Sequence, residues 1–160
     1  MMKRIPLLVL CLAFALTGCS KKEVSTSSYY PSKTTYMNDE GDGSITVRAY
    51  GHGRNRRDAK AQAAKNALRD VIFRGVTVPG NARLSRPLVT TLNAEEKFRD
   101  LFDAFFTDGG DYTRFVSSED RKARSDNKEK NSVQVKEATT VRVLRPALRQ
   151  YLIEKGVIIP

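Results

Sequence analysis

Residues 45–72 read ITVRAYGHGRNRRDAKAQAAKNALRDVI, and this stretch decides the fold. Ile45, Val47 and Ala49 alternate with Thr46, Arg48 and Tyr50, the pattern of a half-buried strand. Gly51-His52-Gly53 reads as a break. Asn55 followed by Asp58 reads as a helix start, since Asn is a strong cap and an acid suits the positive end of the helix dipole. From there Ala59, Ala63, Ala64, Ala67, Leu68, Val71 and Ile72 form one apolar stripe at helical spacing. Lys60, Lys65, Arg69 and Asp70 are assigned to the opposite face. The alanines let such a helix lie close on a sheet, and Gly75 ends it.

Downstream, residues 76–92 are irregular, with Pro79-Gly80 and Pro87 among apolar residues, and read either as a binding loop or as an ordered core connection. A second helix is expected from Asn93, with Glu96 completing a capping-box pair and Phe98, Leu101, Phe102 and Phe105 on its buried face. Gly109-Gly110 stop it. Tyr112 to Ser117 reads as a second strand. Val133, Val135, Thr139, Val141 and Val143 mark one face of a third, and the polar stretch 119–131 between them reads as a hairpin tip. Pro146 suits the first turn of a last helix, whose Ala147, Leu148, Tyr151 and Leu152 form an apolar face before Gly156 closes it. The order β-α-α-β-β-α predicts an α+β fold in two layers: a small, mainly antiparallel sheet with helices on one face.

Upstream, Met1-Met2-Lys3-Arg4 is a basic start, residues 5–16 are almost wholly apolar, and Leu16-Thr17-Gly18-Cys19 follows. This describes an export signal rather than a spanning helix, which needs about 20 apolar residues. The four residues at the cut resemble the lipobox of bacterial lipoproteins. That resemblance implies signal removal over 1–18, with loss of Cys11, and a diacylglycerol thioether on Cys19. Two or more acyl chains give stable attachment where one does not. Ser20 rather than Asp follows Cys19. By similarity to sorted lipoproteins this favours the outer membrane, the periplasmic face ahead of the cell surface. Residues 19–43 have the Ser, Thr, Lys and Tyr content of a flexible tether with a reach of about 25–30 Å. The folded domain is then expected over 44–160.

The 160 residues carry 28 Lys+Arg against 18 Asp+Glu, a net charge of +10, with two cysteines, one histidine and no tryptophan. Loss of Lys3 and Arg4 with the signal lowers the charge to +8. One histidine and no cysteine beyond the lipidated one leave no ligand set for zinc and no disulfide. No cofactor is expected. Residues 54–74 and 142–155 hold most of the basic excess. In an exported lipoprotein this charge would meet anionic lipid headgroups or envelope glycans rather than nucleic acid.

Gly51-His52-Gly53 before a helix start, with Arg54, Arg56 and Arg57 beside it, invites an anion-loop reading. The third glycine of a dinucleotide fingerprint would fall at Arg56, however, and the lysine and hydroxyl of a P-loop are absent. His52 is the single candidate for acid–base work, and no G-x-S-x-G marks a nucleophile for it. The strand ending in Gly-x-Gly, followed by an alanine-rich helix, resembles the LPP-twenty-type small bacterial lipoproteins and the N-terminal domain of flagellar-ring assembly protein T. Residues 141–158 (VRVLRPALRQYLIEKGVI) are similar to the close of small lipoproteins of gut and oral Gram-negative anaerobes. The resemblance implies an envelope location and a binding or assembly role, and it carries no catalytic residues. The expectation is therefore a non-catalytic lipoprotein serving an envelope protein complex, with Arg54, Arg56 and Arg57 as contact surface. A binder of anionic glycan or lipid is the alternative, and a small hydrolase using His52 ranks third.

Overall fold

The computed structural model describes residues 34–118, 129–130 and 135–159. The expected export signal, Cys19 and most of the expected hairpin tip lie outside them. Strand β1 (Thr35–Asp39) leads into β2 (Ile45–Gly53), helix α1 (Arg56–Arg69) and a π-helical turn at Asp70–Arg74. Short helices α2 (Ala82–Ser85) and α3 (Ala94–Lys97) precede α4 (Arg99–Phe106). A 3-10 turn at Asp111–Phe115 then leads to β3 (Val116–Ser118), β4 (Glu129–Lys130), β5 (Val135–Val143) and α5 (Arg145–Glu154). The sheet is antiparallel throughout, in the order β1-β2-β5-β3, with β4 also paired to β5. This is the expected α+β class.

β2 and β5 pair along their whole lengths, from Ile45 opposite Val143 to Gly53 opposite Val135. Ile45, Val47, Ala49, Val141 and Val143 point to the helix side and are buried. Thr46, Arg48, Tyr50 and His52 alternate to the other face, beside Arg142, Thr140, Ala138 and Lys136. The break expected at Gly51-His52-Gly53 is instead the end of the strand. A Cβ on Gly51 would lie 2.1 Å from the Ala59 carbonyl oxygen, and one on Gly53 would lie 2.4 Å from the Ala59 nitrogen. The glycines therefore allow the α1 backbone to rest directly on the strand, which is the role a glycine has at a close approach of two backbones.

Asn55 caps α1 as expected, its Oδ1 accepting from the Asp58 amide at 3.0 Å. The alanine stripe is buried, but the opposite face is less polar in its surroundings than the sequence suggests. Lys65 and Asp70 are buried as well. Lys65 donates to Asp108 at 2.7 Å with its ammonium 5.2 Å from the Tyr112 ring centre. Asp70 accepts from the Thr34 hydroxyl.

Three further expectations are corrected. The tether was expected to run to residue 43, yet Thr35–Asp39 forms the edge strand of the sheet, with a register shift between Tyr36 and Asn38. Tyr112–Ser117 is not a strand: Tyr112 and Phe115 are three residues apart and bury together on the 3-10 turn, and only 116–118 are extended. Asn93 makes no side-chain cap and sits at φ +54, and the helix behind it is interrupted at Phe98.

The chain from 76 to 92 resolves as an ordered core connection. Val76, Val78 and Val89 are buried, and the Leu88 and Val89 amides donate to the carbonyls of Val71 and Ile72. The core closes on an aromatic group. Phe105 packs on Phe106 at 4.9 Å between centroids, on Tyr151 at 5.5 Å and on Phe115 at 5.9 Å. Phe73 meets Phe102 edge-on at 4.9 Å.

Candidate functional site

The three arginines singled out in the sequence lie together at the start of α1, and each has a different role there. Arg54 approaches Asp58 at 3.7 Å. Arg56 donates through Nε at 3.0 Å and Nη2 at 2.9 Å to Oε1 of Glu137, a carboxylate that is 2% exposed. Arg57 is exposed and makes no ion pair among the described residues. Asn55 Oδ1 already takes the Asp58 amide, and the helix backbone packs directly against Gly51 and Gly53. This region holds a buried carboxylate in place and does not form an open cradle for an anion. Oε2 of Glu137 and Oγ1 of the buried neighbour Thr139 have no hydrogen-bond partner among the described residues.

His52 is half-buried on the sheet face opposite the one that carries Ile45, Val47 and Ala49, and pairs in register with Lys136, whose ammonium lies 5.6 Å from the Tyr50 ring centre. No group of three His, Cys, Asp or Glu side chains among the described residues could hold a metal ion.

A different basic cluster lines a cleft of about 500 Å³ at the other end of the sheet. The β1–β2 turn forms one wall. Its carboxylates are engaged: Asp39 accepts from the Gly41 amide at 3.0 Å, and Asp42 accepts from the Ser44 amide at 2.8 Å and from Arg142 at 2.6 Å. The hydrogen bonds from Ser44, followed by the Arg142 charge, hold the Asp42 carboxyl below its usual range. The opposite wall is α2 and the start of α5. Asn81 caps α2 by accepting from the Leu84 amide at 3.1 Å.

Arg145, Pro146 and Arg149 come from α5, and Arg83 from α2. Nη2 of Arg145 donates to the carbonyl of Arg86 at 2.7 Å and to that of Arg83 at 3.4 Å, tying the two helices together. Burial, and then the charges of Arg83 and Arg149, hold the Arg145 guanidinium below its usual value. Arg83 and Arg149 are exposed and have no ion pair among the described residues. The cleft thus brings together three guanidiniums with no carboxylate assigned to them.

Arg145 and Arg149 belong to the basic C-terminal segment visible in the sequence. Arg83 was not legible as a partner, because it lies in a stretch without periodicity, and only the Arg145 staple places it there. No protein-family model, no curated protein and no solved structure matches this chain.

Proposed function

We propose that this chain is an outer-membrane lipoprotein, anchored through Cys19 on the periplasmic face, whose α+β domain binds rather than catalyses and supports an envelope protein assembly. The observation that carries this reading is the basic start, apolar run and Leu16-Thr17-Gly18-Cys19 in register over residues 1–19. The fold is compatible with it. No described helix is long and apolar enough to cross a membrane, and the sheet face bearing Arg48, Tyr50, His52 and Arg142 offers polar and aromatic groups to a partner. In-cell crosslinking of the acylated protein, with mass spectrometry of what is recovered, tests the reading. Stoichiometric envelope proteins that vanish with Cys19→Ala are the expected result. Recovery of the same proteins from the Cys19→Ala chain would sink the anchor, and recovery of none would sink the assembly role.

The arginine cleft supports a second reading, in which the domain binds an anionic envelope lipid or glycan. Its binding would weaken with salt, since charge attraction at a surface is screened within about 8–10 Å at ordinary ionic strength.

A further inference from the structure

We propose that the cleft between the β1–β2 turn, α2 and the start of α5 is a phosphate-binding site, with Arg83, Arg145 and Arg149 as the groups that hold the anion. The inference deepens the anionic-ligand reading and rests on it, but it requires neither the lipid anchor nor a protein partner.

Three observations carry it. First, the side chains have complementary roles. Arg145 is fixed by two backbone carbonyls, and Arg83 and Arg149, whose charges act on it, are in no ion pair among the described residues. Like charges gathered around a partly buried guanidinium are unfavourable unless something neutralises them. Second, neither acid of the opposite wall is ion-paired with these arginines. Asp42 is turned to Arg142 and Ser44, and Asp39 accepts from the Gly41 amide within its own turn. Third, the cleft has room for a ligand, since its volume of about 500 Å³ lies within the range of small-molecule sites.

The chemistry favours phosphate among anions. A guanidinium is planar and forms paired N–H···O bonds with phosphate oxygens, so three of them around one cleft can address several oxygens of one tetrahedral dianion. α5 adds to this. It runs ten residues from Arg145, has no side-chain cap, and carries Pro146 in its first turn, so its positive dipole end adds to the same field. A free phosphate and the phosphate headgroup of a lipid present this chemistry equally.

The test is calorimetric titration of the full chain in nonionic detergent with two probes, inorganic phosphate and soluble dihexanoyl phosphatidic acid. The Arg83 and Arg149 side chains are exposed and make no hydrogen bond or ion pair among the described residues, so Arg83→Ala/Arg149→Ala should fold, and circular dichroism checks this. The single variants Arg83→Gln and Arg149→Gln keep most of each side chain if the double variant does not. Arg54→Ala/Arg57→Ala removes the same charge elsewhere. The proposal expects saturable binding of at least one probe that falls tenfold or more in the cleft variants and stays within twofold in the control. Binding of both probes would identify free phosphate as sufficient, and binding of the lipid alone would identify a headgroup. Equal weakening in the control pair would overturn the site while leaving the anionic-ligand reading in place. No saturable binding of either probe would overturn both.

Discussion

Gly51 and Ala63 are in such close register that a Cβ built on the glycine would lie 2.3 Å from the Ala63 nitrogen. Real Cβ atoms do not approach backbone so closely, so any side chain at 51 must push α1 off the sheet. The helix carries much of the apolar stripe, and lifting it opens the core along its length.

Gly51→Ala should therefore destabilise the domain by on the order of 3 kcal/mol or more, the upper range for overpacking. Gly80, at φ +73 with nothing within 4 Å of a built Cβ, provides the contrast. Gly80→Ala meets only the backbone penalty, about 1 kcal/mol. Urea unfolding of the two variants measures the difference, and comparable losses would mean that Gly51 is not a packing residue.

Arg56→Ala strands the Glu137 carboxylate, whose side chain is 3% exposed. Because Arg56 itself is 55% exposed, the full cost of breaking a buried pair is reduced by solvent, and about 1–2 kcal/mol is expected. Arg57→Ala should stay within about 0.5 kcal/mol. Adding Glu137→Gln to Arg56→Ala should recover stability, because no unpaired charge is then buried. A double-mutant cycle with no coupling between 56 and 137 would refute the pair.

Asp70 provides a pH signature. Burial raises its carboxyl above the ordinary range, and the hydrogen bond from Thr34 partly offsets that. A carboxyl raised in the folded state binds its proton more tightly there than in the unfolded chain. Its protonation therefore favours folding as pH falls through the folded value towards the ordinary one, about 3.9. Asp70→Asn removes this contribution. Asp42 and Asp108 are shifted downwards and act in the opposite sense, but both remain in the two proteins compared. Wild type should gain in melting temperature relative to Asp70→Asn between pH 7 and pH 4. A constant difference across that range would contradict the assignment.

Phe102 is 2% exposed and touches Phe73 and Phe106. Phe102→Ala should cost about 3–5 kcal/mol through lost burial and the cavity left behind. Leu92 is 89% exposed, and Leu92→Ala should stay within about 0.5 kcal/mol. Thermal unfolding of both variants checks the pair.

The elements legible in the sequence are those whose periodicity faces one core. β2, α1 and α5 each bury a regular set of apolar residues, and β5 keeps the alternation with Val141 and Val143 although Glu137 and Thr139 share its buried face, so their spacing reveals them. β1 does not: in TYMND only Tyr36 packs against the core, and a bulge interrupts the alternation. It joins the sheet through backbone hydrogen bonds, which leave no trace in composition. The glycine pair was misread for a related reason, since a turn and a close backbone approach call for the same residue. The cleft was hidden because Arg83 and Arg145 are far apart in sequence, and their meeting depends on a backbone carbonyl contact that any residue types could supply.

The two central strands come from opposite ends of the domain. Ties across them span 81 residues between Arg56 and Glu137 and 100 between Asp42 and Arg142. Closing such long loops before any reward from pairing slows folding. A chain emerging from its amino end has β2 and α1 complete, but the long edge of β2 that pairs with β5 stays open until β5 arrives. The domain must therefore fold after its last residues are made, and its unfinished sheet is open to other chains until then.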